Sequence, residues 1–262
     1  MKYETILFRR TPPRATITLN RPQVLNAINE TMMLELEDAV KKVASDREVK
    51  VLVVDSACDR AFGSGIDVAW VKNTENTAGG VERGGARGLR RTFGAFRYLE
   101  KPIIAAIDGF CLGASLELAL SCDFLIATER SQFGLPNINR GIPTTVEAAV
   151  LTQCLSILDV KELCYTGEFW DAARAERRGL LTRLVPNDGL STEVDAWVAK
   201  LSEKTAVVLA AEKDIINKWM TTDLETAMDY SMRVVEAVWS TKDMEEGVSA
   251  FVQKRKPKFE GR

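Results

Sequence analysis

A chain of 262 residues is long enough to bury a sizeable core, in one α/β domain or in two small ones. It contains no histidine, which excludes histidine triads, histidine general bases and HExxH metal sites. Its 35 Lys and Arg against 37 Asp and Glu leave a formal charge of −2, so no global basic field argues for nucleic acid or for a membrane surface.

The opening MKYETILFRR lacks an apolar targeting core, and no apolar run approaches the ~18 residues of a membrane span. A soluble, cytoplasmic protein with no membrane and no nucleic-acid partner is expected. The five cysteines, Cys58, Cys111, Cys122, Cys154 and Cys164, form no CxxC pair; they read as reduced thiols, mostly core filler. Short β-rich runs at 4–9, 15–20, 49–55, 103–108 and 124–128 alternate with helical patterns, as in an α/β fold. Residues 51–54 are apolar on both faces and predict a buried central strand. Within 31–45, Met33, Leu36, Val40 and Val43 recur at helical spacing with Glu and Lys on the other side, an amphipathic helix packed on the sheet. The polar stretch 73–91 carries Gly79-Gly80 and Gly84-Gly85 and reads as a mobile flap ahead of a helical pattern at 89–99. From residue 144 the chain turns mainly helical, at 159–165, 172–178, 190–202, 207–219, 224–239 and 245–254. One mixed core followed by a helical extension is the result.

Three segments carry candidate chemistry. RAFGSGIDV, at 60–68, follows the buried strand with two glycines. It matches neither GxGxxG nor a P-loop, and is either a plain β-to-α turn or a loop that brings backbone N–H groups to a ligand. In GFCLGASLELALSCD, at 109–123, Gly113 is either a strand-to-helix hinge or the opening of an anion site. In the second reading the first unpaired helix amides, with the dipole behind them, suit an oxygen that becomes negative. Glu117 follows Ala114 by three residues and so shares its helical face. Leu116, Leu118, Ala119 and Leu120 flank it, where an idle carboxylate would be expensive to desolvate. The third segment, SQFGLPNINRGIP at 131–143, is a loop by its Gly, Pro and Asn content. Asn137 and Asn139 can hydrogen-bond but transfer no protons, and turn chemistry suits Asn139 better than Asn137. Glu147 stands in the first turn of the next helix or points into the pocket. The closing FVQKRKPK gathers four cations, as a solvated helix end or as a phosphate ligand.

Taken in order, ITLNRPQVLNAIN, RAFGSGIDV, KPIIAAIDGFCLGASLELALSCD, SQFGLPNINRGIP and EEGVSAFVQKRKPKF resemble the crotonase (enoyl-CoA hydratase/isomerase) superfamily over essentially the whole chain. The resemblance implies an α/β fold, a crotonase-like spiral of ββα units over 1–195, followed by a C-terminal helical trimerisation region over 196–262. It further implies a homotrimer or a dimer of trimers. The substrate would be an acyl-CoA thioester, with coenzyme A part of that substrate and no separate cofactor or metal. The backbone amides of Ile66 and Ala114 would form an oxyanion hole for the thioester enolate. Gln23, Leu25, Ser64, Asp67, Val68 and Gly113 would contact coenzyme A or substrate. Phe251 and Lys254 would reach the coenzyme too, from this subunit or a neighbour. The acyl pocket walls would come from Trp70, the 73–91 flap and residues 144–146.

Hydratases of that superfamily use two glutamates, and only the first matches here, as Glu117. The second is replaced by Asn137 in FGLPN, and GIPTTVEAA stands where a glycine-rich stretch is usual. Three readings follow. In a hydratase or dehydratase of a 2-enoyl-type thioester, Glu117 is the acid/base and Asn137 holds the water. In a decarboxylase of a malonyl- or methylmalonyl-type thioester, the oxyanion hole alone is indispensable. A non-catalytic CoA-ester-binding protein comes last, because a decayed site has no reason to keep a costly carboxylate. Isomerisation is disfavoured, since its proton shuttle usually stands where Asn137 does.

Overall fold

The computed structural model describes residues 2–74, 85–144 and 146–261. Part of the predicted 73–91 flap, with Gly79-Gly80 and Gly84, lies outside the described residues, as does Thr145. Strands β1 (Ile6–Thr11) and β2 (Arg14–Leu19) pair antiparallel. β3 (Val51–Ser56), β5 (Ile103–Ile107), β7 (Phe124–Thr128) and β10 (Arg183–Val185) then add in parallel, giving a six-stranded sheet in the order β1-β2-β3-β5-β7-β10. A second sheet, β4-β6-β8-β9, is built from β4 (Ala61–Gly63), β6 (Phe110–Leu112), β8 (Gln132–Gly134) and β9 (Trp170–Asp171). Consecutive strands therefore alternate between sheets, β3 to β4, β5 to β6, β7 to β8. Each pair is followed by helical structure, so the chain winds as a spiral of ββα units.

Both faces of the large sheet are covered, which is why its central strands are apolar throughout. Leu52, Val54, Ile103, Ala105 and Ile107 face the main core. Val51, Val53, Ile104, Ala106 and Ile126 face the other way, against Val194, Val198 and Leu201 of α8 (Leu190–Ser202). That is the period-2 alternation of a strand, with both sides dry.

Helix α1 (Glu30–Ser45) starts where Asn29 accepts a hydrogen bond from the Met32 amide, and buries Met32, Met33, Leu36, Ala39, Val40 and Val43. Two of its glutamates are not on the solvated side that the pattern predicts. Glu35 is 2% exposed and accepts from the amides of Glu4 and Thr5, tethering the chain ahead of β1. Glu37 accepts from Arg91 and Thr92 of α3 (Ala86–Arg97). Buried carboxylates are tolerated here because each is fully hydrogen-bonded.

Helices α2 (Val68–Thr74) and α4 (Ala114–Leu120) follow β4 and β6. After β8 come a 3-10 turn (Pro136–Arg140), a second one (Val146–Val150), α5 (Leu151–Cys154), α6 (Ile157–Thr166) and α7 (Ala172–Arg177). The last helices are α9 (Ala206–Trp219), α10 (Leu224–Trp239) and α11 (Lys242–Val252). Residue 195, the expected end of the core, lies within α8. α9 docks on the core through polar contacts: Lys213 Nζ donates to Asp123 Oδ2 at 2.8 Å and to the Lys101 carbonyl at 3.2 Å. Asn217 donates to the Arg97 carbonyl at 3.3 Å. α10 buries only Ala227 and exposes Leu224, Met228, Met232, Val235 and Trp239, one stripe at helical spacing. All five cysteines are free thiols; Cys58, Cys111 and Cys122 are buried, Cys154 is exposed and Cys164 is partly buried. Among the described residues no helix is long and apolar enough to cross a membrane, and no group of Cys, Asp and Glu could hold a metal.

Candidate active site

The site is assembled where three turns of the spiral bring their loops together. The first loop leaves β4, and its backbone is packed against the helix that follows β6. Gly63 admits no side chain, since a Cβ there would lie 2.2 Å from Ser115 Oγ. Gly65 has φ of +104°, and a Cβ on it would lie 3.2 Å from the Leu112 carbonyl and 3.4 Å from the Ala114 amide nitrogen. Its own amide donates to Ser115 Oγ at 3.0 Å. On the other side of the loop, Ile28 pairs with Ile66 as a parallel bridge. Ile28 N donates to the Gly65 carbonyl and Asp67 N donates to the Ile28 carbonyl. In such a bridge the central residue's own N–H and C=O point away from the partner. The Ile66 amide is therefore turned away from Ile28.

The second loop is Gly113, with φ of +52°, whose amide donates to the Gly134 carbonyl at 2.9 Å. Ala114 opens α4, so its N–H has no partner within the helix. Every residue of α4 is buried, and Glu117 is 0% exposed. Its Oε2 accepts hydrogen bonds from the amides of Glu147, at 2.8 Å, and Ala148, at 3.4 Å. Those amides belong to the 146–150 turn. Glu147 is itself a buried residue, and its carboxylate forms an ion pair with Arg97 of α3.

The third loop brings Asn137, on the 136–140 turn, against Gly113. Its Oδ1 lies 3.0 Å from where a Gly113 Cβ would stand. Asn137 is half-buried, and among the described residues no hydrogen bond engages its side-chain amide. Asn139 instead packs on Gly167, in keeping with a turn role.

The segment 22–26 runs beside 64–68. Ser64 N donates to the Leu25 carbonyl at 2.9 Å, and Ser64 Oγ to the Val24 carbonyl at 3.3 Å. Gln23 and Val68 are exposed beside it. Asp67 is occupied by structural partners. Its Oδ1 accepts from the Ala69 and Trp70 amides at 3.1 Å, and its Oδ2 pairs with Arg21 at 3.0 Å. Trp70 packs partly buried against the core. Among the described residues no hydrogen bond draws Phe251 or Lys254 to these loops; Phe251 is 85% exposed near the end of α11, and Lys254 has φ of +53° just beyond it. The terminal cations are partly used locally, Arg255 pairing with Glu246 at 2.6 Å.

Four residues of this framework are not among the expected site residues. Asn26, 0% exposed, accepts from the Arg21 amide and donates to Ser56 Oγ and the Phe62 carbonyl, fixing the 22–26 turn. Ser115 joins the first two loops. Arg21 braces Asp67, and Arg97 braces Glu147. Asn26 does stand inside a turn-forming Asn context, but its full burial depends on strands far away in sequence.

Two mainly parallel sheets wound as a ββα spiral, with a glycine loop laid against a buried helix start, make a recognisable class of architecture. Two solved enoyl-CoA hydratases share it over their whole length. One from Bacillus anthracis matches at a TM-score of 0.92 with 28% identity, covering 99% of this chain and 100% of that one. A hydratase subunit from Geobacillus kaustophilus matches equally, covering 100% of both chains. The enoyl-CoA hydratase/isomerase family model matches residues 14–262, and the chain belongs to that family. Similar relatives include a probable enoyl-CoA hydratase of Mycobacterium tuberculosis and a crotonyl-CoA hydratase of Syntrophomonas wolfei. Each is 34% identical over 260 residues, covering 99% of both chains.

Proposed function

We propose that the protein is an acyl-CoA lyase that hydrates a 2-enoyl-CoA thioester, or dehydrates the corresponding 3-hydroxyacyl ester. The observation that carries this reading is the buried Glu117 carboxylate on the helix whose opening amide lies against Gly65. The thioester oxygen accepts from the N–H groups of Ile66 and Ala114. As the enolate forms, those fixed dipoles stabilise the growing charge without reorganisation. Glu117 takes a proton from water, whose oxygen bonds to the β-carbon; the same carboxyl then delivers that proton to the α-carbon. Asn137, which cannot exchange a proton, holds the water by hydrogen bonds. The names borne by relatives favour hydration over decarboxylation of a malonyl-type ester.

Coenzyme A, as part of the substrate, lies along Gln23, Leu25, Ser64, Asp67, Val68 and Gly113, and no separate cofactor enters the reaction. Phe251 and Lys254 reach it from a neighbouring copy, which accounts for their exposure in the single chain. The helical region 196–262 trimerises through the apolar stripe of α10, into a trimer or a dimer of trimers. We place the protein in the cytoplasm, in keeping with its free thiols.

The test is mass spectrometry of the purified protein with two pools of thioesters. Gain or loss of water in a pool of enoyl- and 3-hydroxyacyl-CoA esters is the expected result and identifies the acyl group. Loss of CO₂ from malonyl-type esters, with no change in the first pool, replaces this reading by decarboxylation. Silence in both pools replaces it by a binding role.

A further inference from the structure

Glu117 is held at its carboxylate by amides that belong to another element, and that element is itself anchored from outside. The 146–150 turn has no glycine, and a side chain therefore stands at 147. Its amide donates to Glu117 Oε2 at 2.8 Å while its carboxylate pairs with Arg97. Side-chain exposure is 16% for Arg97 and 9% for Glu147. Residue 147 is thus fixed at both ends, to the proposed acid/base on one side and to α3 on the other. Arg97 is in turn fixed by its backbone, whose carbonyl accepts from Asn217 of α9. The ion pair lines a cleft of about 660 Å³ between α3, α9 and the 146–150 turn.

We propose that Arg97 is a positioning residue for Glu117, acting through Glu147; this rests on the reading of Glu117 as the acid/base. A carboxylate as buried as that of Glu147 is stable only while paired. Without the ion pair the 146–150 turn loses its side-chain anchor on α3 and shifts, whether the Glu147 carboxylate turns toward water or is absent. The amides of Glu147 and Ala148 then leave Glu117 Oε2, and the carboxyl loses the orientation from which it meets water and α-carbon. Displacements of about 1 Å in such groups cost roughly 100-fold in rate.

The experiment measures hydration kinetics of Arg97→Met, Arg97→Lys and the double variant Arg97→Met/Glu147→Met, each also in a Glu117→Gln background. Arg97→Met is expected to lower kcat roughly 10- to 100-fold with KM within about twofold, and Arg97→Lys to restore most of it. The double variant leaves no unpaired buried charge, so it keeps a folded protein in hand if Arg97→Met alone unfolds; it shows the same loss of kcat. In the Glu117→Gln background either change costs less than about twofold, because the group it orients is gone. An equal loss in both backgrounds overturns the proposal in favour of a purely structural pair, and so does wild-type kcat in the double variant. Full activity of Glu117→Gln itself overturns the reading of Glu117, a distinct result from these.

Discussion

The hydroxyl of Ser115 accepts a hydrogen bond from the Gly65 amide at 3.0 Å, fastening the loop after β4 to the first turn of α4. Both groups are buried, and they are 50 residues apart in sequence. This contact sets the Ile66 segment against Ala114. Ser115→Ala leaves the Gly65 N–H buried without a partner, at about 1–3 kcal/mol. Chemical denaturation is expected to report that loss, and steady-state kinetics a fall in kcat as the two amides separate. A variant with unchanged kcat would show that the Ile66 and Ala114 amides need no such fastening.

Glu117→Gln keeps the shape and the acceptor oxygen for the Glu147 amide but cannot carry a proton. Hydration is expected to fall by roughly 10²- to 10⁴-fold, the usual share of acid–base catalysis, with the fold intact by circular dichroism. Undiminished turnover would remove Glu117 from the mechanism.

Asn137→Glu places a second ionisable group against Gly113, where Oδ1 of the asparagine already lies. Crotonyl-CoA turnover is expected to rise if the missing acid limits the site. If no gain is seen in a coupled spectrophotometric assay, the shape of the acyl pocket sets the rate instead.

Gly65→Ala tests how closely the two loops must approach. The position has φ of +104°, and the added methyl would lie 3.4 Å from the Ala114 nitrogen. The backbone conformation alone costs about 1–3 kcal/mol. Isothermal titration with a non-reactive acyl-CoA is expected to show weakened binding, whereas wild-type affinity would exclude a thioester oxygen seated at this point.

Met232→Glu puts a charge in the exposed apolar stripe of α10. Light scattering coupled to gel filtration is expected to shift from a trimer or larger assembly to a monomer, since a desolvated unpaired carboxylate opposes any interface there. An unchanged mass would move the proposed interface elsewhere.

Much of the frame was legible in the sequence where periodicity had room to act. Phe124–Thr128, Leu190–Ser202 and Leu224–Trp239 coincide with the predicted spans residue for residue. The small sheet was not legible. β4, β6 and β8 have three residues each and β9 has two, too short for alternation to show, so none of them is predicted as a strand. Gly113 accordingly follows β6 rather than the strand ending near 107. Glu35 and Glu37 were misplaced for a different reason. Charge pattern puts them outside, but buried amide, hydroxyl and guanidinium donors, supplied by distant segments, hold them inside. The burial of Glu117 was readable from its neighbours. Its partners were not, because the donors are backbone groups 30 and 31 residues away.

Each winding of the spiral contributes one fragment of the proposed catalytic centre: Ile66 from the first, Ala114 and Glu117 from the second, Asn137 and the Glu147 amide from the third. No single winding contains all of these groups, and the Ile66 and Ala114 amides come from different ones. Closing contacts over 30 to 50 residues is entropically slow compared with forming the helices between them. The centre is therefore expected to form late in folding. During synthesis a ribosome must have released the chain well past residue 148 before any thioester could be held, so ligand capture by a nascent chain would time the completion of the third winding.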